Sequence, residues 1–325
     1  MCDYEIVLHP EALNKAWSYL VNLQGGATPG ANLRSVMGAT DVRTLDAFTL
    51  LNCLLQTKIP QIFAESAISG DGSDWNSMEL SILGDISISV PVTVYDNALH
   101  RSPDVHPSPF PATLLYTPGA LLRNGRGQVP ADWREVVVND DIDQAALDRL
   151  YERRLLPVFL HANQLSMKEG RKAVITVPGL GCGQFAGPFA GRLGELLKVS
   201  ISRLLENHHR ELPYIKAIYF DPYNECRNAR SEYGHISYLV RPLRCGNEDR
   251  PQLCIPEKYG DPHDDFSDLR LFSVVAWDHV SWPGNDFFIG SRATDDGVKA
   301  AATSSMYSLT GTEGQYDPRT YQYSP

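Results

Sequence analysis

The sequence predicts an α/β fold, and three stretches carry that expectation. Residues 172–205 read as a strand, a glycine-rich loop and an amphipathic helix. Residues 272–306 repeat the order: an apolar run, a loop bearing glycines and acids, then a helix-forming segment. Strands alternating with helices in this way build sheets covered by helical layers. Residues 10–70, by contrast, read as helices alone, an extension ahead of the α/β part.

A chain of 325 residues allows about two domains, or one large α/β domain with extensions. With 43% apolar and 21% charged residues, a packed core is expected. The net charge of −10 argues against a nucleic-acid partner, because phosphate neutralisation calls for a basic surface; it suits a basic protein face. No apolar run reaches the roughly eighteen residues that a membrane span needs. The N-terminus, MCDYE, opens with acids rather than a secretory apolar core. A cytoplasmic setting is therefore expected, with Cys2, Cys53, Cys182, Cys226, Cys245 and Cys254 as reduced thiols. Cys245 and Cys254 are too far apart for a zinc knuckle, so no metal site is expected.

In chain order, Pro10-Glu11-Ala12-Leu13 looks like a helix start, with Leu13, Trp17, Leu20 and Val21 at helical spacing. Gly25-Gly26 and Pro29-Gly30 break that helix, and Leu45, Phe48, Leu51, Leu54 and Leu55 form a second apolar stripe for packing. Residues 82–94 alternate with period two and read as a strand. Residues 100–111 read as a His/Pro-rich loop with His100 and His106 in solvent, followed by a strand at 112–116. Residues 141–154 read as a helix and 155–160 as a short strand. Clearer strands follow at 172–177 and 214–220, the second ending at Asp221-Pro222. Residues 226–266 read as loop, and 316–325 as a poorly structured tail.

The loop after residue 177, PGLGCGQFAG, has the makings of an anion cradle. Glycines let backbone N–H groups approach a phosphate, and a following helix N-terminus favours negative charge. No Walker lysine follows, so it is not an ATPase loop. Gly181, Gly183 and Ala186 also fit a dinucleotide pattern, with Asp221 as the later acid, which keeps a nicotinamide-dependent oxidoreductase open. The stretch at 272–299, FSVVAWDHVSWPGNDFFIGSRATDDGVK, carries four carboxylates: Asp278, Asp286, Asp295 and Asp296. Singly, each could be a helix cap or a turn residue.

Together these two loops resemble the macrodomain poly(ADP-ribose) glycohydrolases. Gly181-Cys182-Gly183-Gln184-Phe185-Ala186-Gly187 is similar to that family's diphosphate loop, GCG-x-F-G-G. Asp278 matches the Asp ending its Asp-Phe-Ala-Asn strand, Gly284-Asn285-Asp286 stands in the place of its glycine triplet, and Thr294-Asp295-Asp296 in the place of its Gln-Glu-Glu. The spacing of Asp278, Asp286 and Asp296 resembles the MavL-type ADP-ribosyl-ubiquitin hydrolases. The loops stand in reversed order, which implies a rearranged, permuted macrodomain. The resemblance implies a macrodomain-like three-layer α/β/α fold with a mixed central sheet at 76–315, an N-terminal helical segment at 1–75 packed on it, and a flexible tail at 316–325. It further implies hydrolysis of an ADP-ribosyl bond, with Asp296, Asp286 and Asp295 as catalytic candidates. Asp278, Gly181, Cys182, Gly183, Gln184, Phe185, Ala186, Gly187, Gly284 and Asn285 are the ligand-binding candidates. The implied ligand is ADP-ribose, the implied partner an ADP-ribosylated protein with ubiquitin as the candidate, and no cofactor or metal is called for. A poly(ADP-ribose) glycohydrolase and a non-catalytic ADP-ribose reader are the alternatives within the same fold.

Overall fold

The computed structural model describes residues 3–325, so the thiol of Cys2 lies outside the described residues. The chain begins with β1 (Glu5–Val7), α1 (Pro10–Gln24), α2 (Ala31–Met37), α3 (Ala47–Gln56), α4 (Ala64–Ala67) and α5 (Ser77–Leu83). A long hairpin follows, β2 (Ser87–Asp96) and β3 (Val105–Pro118), then α6 (Trp133–Val136) and a two-residue ribbon, β4 (Val137–Val138) with β5 (Asp141–Ile142). The second half runs α7 (Gln144–Glu169), β6 (Ala173–Pro178), α8 (Leu193–His208), β7 (Ile215–Asp221), β8 (Ala229–Tyr233), β9 (Ile236–Val240) and β10 (Arg270–Trp277). It closes with α9 (Asp295–Ala302), α10 (Ser305–Thr310), β11 (Gln315–Asp317) and β12 (Gln322–Ser324).

Eight strands form one mixed sheet in the order β1-β2-β3-β10-β6-β7-β9-β8. The central five, β3, β10, β6, β7 and β9, are mutually parallel, and antiparallel strands close both edges. Alternate strand residues feed two separate cores. Leu114, Tyr116, Val174, Tyr219, Val275 and Trp277 face a layer containing α1, α3, α5, α9 and α10. Leu115, Ile175, Val177, Ile218, Phe220 and Val274 face α7 and α8. This is the expected three-layer α/β/α arrangement. The N-terminal helices belong to one of its layers, sharing a core with α9, and β1 is the first strand of the sheet.

The structure differs from the sequence reading at several elements. Residues 155–160 are not a strand: α7 continues through them, Pro157 included, and buries Leu155, Leu156, Val158 and Phe159. A short apolar run buried on every side carries no periodicity to tell helix from strand. Ile82 lies in α5, and the strand starts only at Ser87. Residues 105–111 are strand, because their prolines fall where β3 pairs with β2 alone and β10 has not yet joined. The supposed loop at 226–266 holds β8 and the fully buried β9. On α1 and α3, Trp17, Val21 and Phe48 face solvent, while Ala12, Ala16, Tyr19, Leu20 and Leu23 make the buried face of α1.

The tail is also ordered. β11 and β12 pair as a hairpin, Tyr316 stacks on Tyr95 at 5.0 Å, and Tyr323 is buried against the same ring. Its tyrosines find an apolar seat that composition alone does not reveal.

Candidate functional site

β6 and β10 are parallel neighbours, with Ile175 opposite Phe272 and Thr176 opposite Ser273. The glycine loop and the acid loop therefore leave the sheet side by side at its carboxyl edge, where open α/β sheets bind ligands. A cleft of about 1100 Å³ opens there. Its walls include Gly179, Cys182 and Gly183 after β6, Asp221 at the end of β7 and Tyr223 after it, and Arg292, Asp295 and Lys299 beyond β10. Small-molecule pockets commonly enclose about 300–1,000 Å³, so a dinucleotide-sized ligand fits.

The glycines of the first loop serve two purposes. Gly181 and Gly187 have φ of +75° and +55°, and a Cβ on them would meet Ala120 O at 2.8 Å and Leu122 O at 2.7 Å. Both let the loop pack on the chain that follows β3. Gly183 is different: a Cβ there would meet nothing within 4 Å, and its backbone faces the cleft. Cys182 lines the cleft but is buried, which pushes its thiol pKa up and disfavours a thiolate. Gln184 is exposed and accepts from Arg123, Ala186 is buried, and Phe185 packs on the apolar core while its carbonyl accepts from Leu122 N–H at 2.8 Å.

The acid loop is fastened by its own carboxylates. Asp278 Oδ1 accepts from the N–H groups of Val280 and Ser281 at 2.6 and 2.5 Å, holding the turn that ends β10. Gly284, at φ +104°, starts a short 3₁₀ turn over Asn285–Ile289. Asn285 is buried there, and its Oδ1 has no hydrogen-bond partner. Asp286 uses both oxygens on the segment leading into α9: Oδ2 accepts from Ala293 N–H at 2.6 Å and Thr294 N–H at 3.3 Å, and Oδ1 from the Thr294 hydroxyl. Thr294 in turn caps α9 by accepting from Gly297 N–H. Gly297 must be glycine, since a Cβ would lie 1.6 Å from Asp286 Oδ1. The carboxylate of Asp286 is thus spent on the loop, at 2% exposure, and not offered to the cleft.

Asp295 and Asp296 open α9 and face different surroundings. Asp295 lines the cleft; its Oδ2 accepts from Ala276 N–H at 2.8 Å and lies 3.1 Å from Lys299 Nζ. Asp296 is 3% exposed. Its Oδ1 accepts from Gly284 N–H at 2.9 Å, and its Oδ2 has no hydrogen-bond partner. Burial pushes the Asp296 pKa well above the carboxylate range, the Gly284 N–H opposes that, and Asp278, Asp295 and Asp286 add to it.

Sequence reasoning missed two lysines beside these acids. Lys58, from the segment after α3, donates to the carbonyls of Asp278 and His279 at 2.9 Å each and sits 3.8 Å over the Trp277 ring. Burial brings its ammonium down to about 7, against the pull of Asp278 and Asp296. Nothing in its local sequence marks it, because its partners lie some 220 residues away. Lys299 is buried and donates to Gln252 Oε1 and Val274 O. Its only sequence signal is the four-residue spacing from Asp295. Of the loop histidines, His100 is exposed on the cleft rim, whereas His106 is half-buried with Nε2 2.7 Å from Leu253 O, against expectation. Among the described residues no group of three or more His, Cys, Asp or Glu is arranged to hold a metal, and no helix is long and apolar enough to cross a membrane.

A family model described as macrodomain effector MavL matches residues 4–325. A search of curated proteins finds no match. The family match takes in the N-terminal helices, both loops and the C-terminal hairpin. The chain therefore belongs to the MavL macrodomain effector family, and its function is of the macrodomain kind, related to ADP-ribose.

Proposed function

We propose that the protein is an ADP-ribosylhydrolase that removes mono-ADP-ribose from a protein side chain, with arginine as the linkage and ubiquitin as the candidate carrier. Asp296 is the observation that supports this most. Burial pushes the pKa of that carboxyl well above the carboxylate range and so favours its protonated form, while its chain neighbour Asp295 faces the cleft in an ion pair. Adjacent acids in such different surroundings are the mark of an acid/base division of labour.

In the proposed reaction the diphosphate lies along the open backbone at Gly183. The C1″–N bond breaks, the proton that Asp296 holds behind the cleft wall passes to the leaving nitrogen through one bridging water, and Asp295, which lines the cleft, stands against the positive charge that develops on the ribose. Water then bonds to C1″ and returns a proton to Asp296. Asp278, Asp286 and Lys58 position the loop, and the guanidinium of an arginine-linked substrate would face Asp295.

A second reading, an ADP-ribose reader without turnover, draws on one observation: Asp278, Asp286 and Asp296 are 4%, 2% and 3% exposed and stand behind the cleft wall. The deciding experiment offers the protein arginine-, glutamate- and serine-linked ADP-ribosyl substrates together with poly(ADP-ribose), and follows released ADP-ribose. Release from the arginine linkage supports the hydrolase. Tight ADP-ribose binding with no release from any substrate supports the reader, and preferential release from the polymer supports a glycohydrolase.

A further inference from the structure

Lys299 has an unusual position for a lysine. It is 1% exposed, in the last turn of a helix whose first residue is Asp295, and it lines the floor of the cleft. Three groups hold its ammonium: Val274 O at 2.6 Å, Gln252 Oε1 at 2.9 Å and Asp295 Oδ2 at 3.1 Å. Gln252 is itself held, since its backbone carbonyl accepts from the Thr176 hydroxyl and its side-chain amide reaches toward Asp221 Oδ2 at 3.5 Å. The ammonium is thus anchored through β10 and through the segment bearing Gln252, and its third contact falls on the one acid of the loop that lines the cleft. A lysine retained for stability alone would not need to be buried beside a ligand cleft, where desolvating the charge is costly.

We propose that Lys299 is a positioning residue that fixes the Asp295 carboxylate against the ribose of bound ADP-ribose. For turnover this rests on the hydrolase reading above; for binding it rests only on the macrodomain site. The Ala276 N–H and the Lys299 ammonium grip the same oxygen, Oδ2, so the carboxylate is held in one orientation. Without the ammonium, Asp295 keeps a single tether and loses its aim.

The test is a double-mutant cycle on the full chain, read by calorimetry with free ADP-ribose and, in parallel, by turnover of arginine-ADP-ribosylated protein. Lys299→Met and Asp295→Asn should each weaken ADP-ribose binding about tenfold, and the double variant should be no weaker than the weaker single one. Lys299→Gln, which retains a donor without the charge, should match Lys299→Met and serves if the latter is recovered poorly. In turnover, Lys299→Met should lower kcat more than Asp295→Asn adds to it. A structural role alone would shift the unfolding midpoint and leave this coupling absent. Effects that multiply in the double variant, or a Lys299→Met protein with unchanged affinity, overturn the proposal. Wild-type protein that binds ADP-ribose but releases none from protein overturns the hydrolase reading and leaves the binding cycle to decide on Lys299. Wild-type protein that does not bind ADP-ribose overturns both.

Discussion

Burial raises the Asp296 pKa well above the carboxylate range, so the proposed acid role has a pH signature. Turnover should be sustained on the acid side and fall as pH rises through the raised Asp296 value. Lys58, at about 7, loses its charge in the neutral range, so a pH–rate profile of Lys58→Met separates the two groups. Asp296→Asn should lower turnover by roughly 10²–10⁴-fold while ADP-ribose still binds, a loss typical of removing a general acid. Retained turnover would move the proton to another group. Gly183→Val should abolish ADP-ribose binding without unfolding the protein, because a Cβ at this cleft-lining position meets no protein atom within 4 Å. Unchanged affinity in calorimetry would mean that the diphosphate lies elsewhere. Asp286→Ala leaves two backbone N–H groups and the Thr294 hydroxyl unmatched, and should cost about 2–4 kcal/mol in denaturant unfolding.

Helix α7 supports the site from the opposite face. Arg154 reaches through the sheet end to Asp132, Asp85 and the Gly119 carbonyl, and Arg153 pairs with Asp85 and Glu135. Burial is the largest single influence on the Asp85 and Asp132 carboxyls and would raise them, but the neighbouring charges together outweigh it: Arg154, Arg153 and Lys15 at Asp85, and Arg154 and His279 at Asp132. Both acids therefore lie below the usual range. The unfolded chain binds more protons than the folded one in acid, so this stability is full above about pH 4 and is lost as pH falls through the depressed values. Arg154→Met should cost about 3–5 kcal/mol at neutral pH and flatten the acid limb of the stability curve. A wild-type acid limb in that variant would count against the network.

These elements also mark what the sequence made legible. The strand, glycine loop and helix at 172–205, and the acid loop at 272–299, could be read because their glycines, apolar periods and acids are local. Pro157 within α7, the tyrosine-seated hairpin and Lys58 could not, because their reasons lie in residues distant in sequence. Even within the acid loop, spacing placed Asp278, Asp286, Asp295 and Asp296 together but could not say which one faces the cleft. That distinction depends on which carboxylates the loop backbone consumes.

Over the whole molecule, the charge of −10 should disfavour a polyanionic polymer and tolerate a basic protein surface around the modified side chain. The N-terminal helices share the core of the α9 layer and contribute Lys58 to the acid loop, so binding and turnover should depend on the full chain. The measurement that bears most directly on the account is release of ADP-ribose from arginine-ADP-ribosylated ubiquitin, run beside poly(ADP-ribose), with wild-type protein and Asp296→Asn at equal ADP-ribose saturation. The account predicts release from ubiquitin by the wild type, slower release from the polymer, and almost none from either with Asp296→Asn. Release that survives in Asp296→Asn, or a polymer consumed faster than modified ubiquitin, would contradict it.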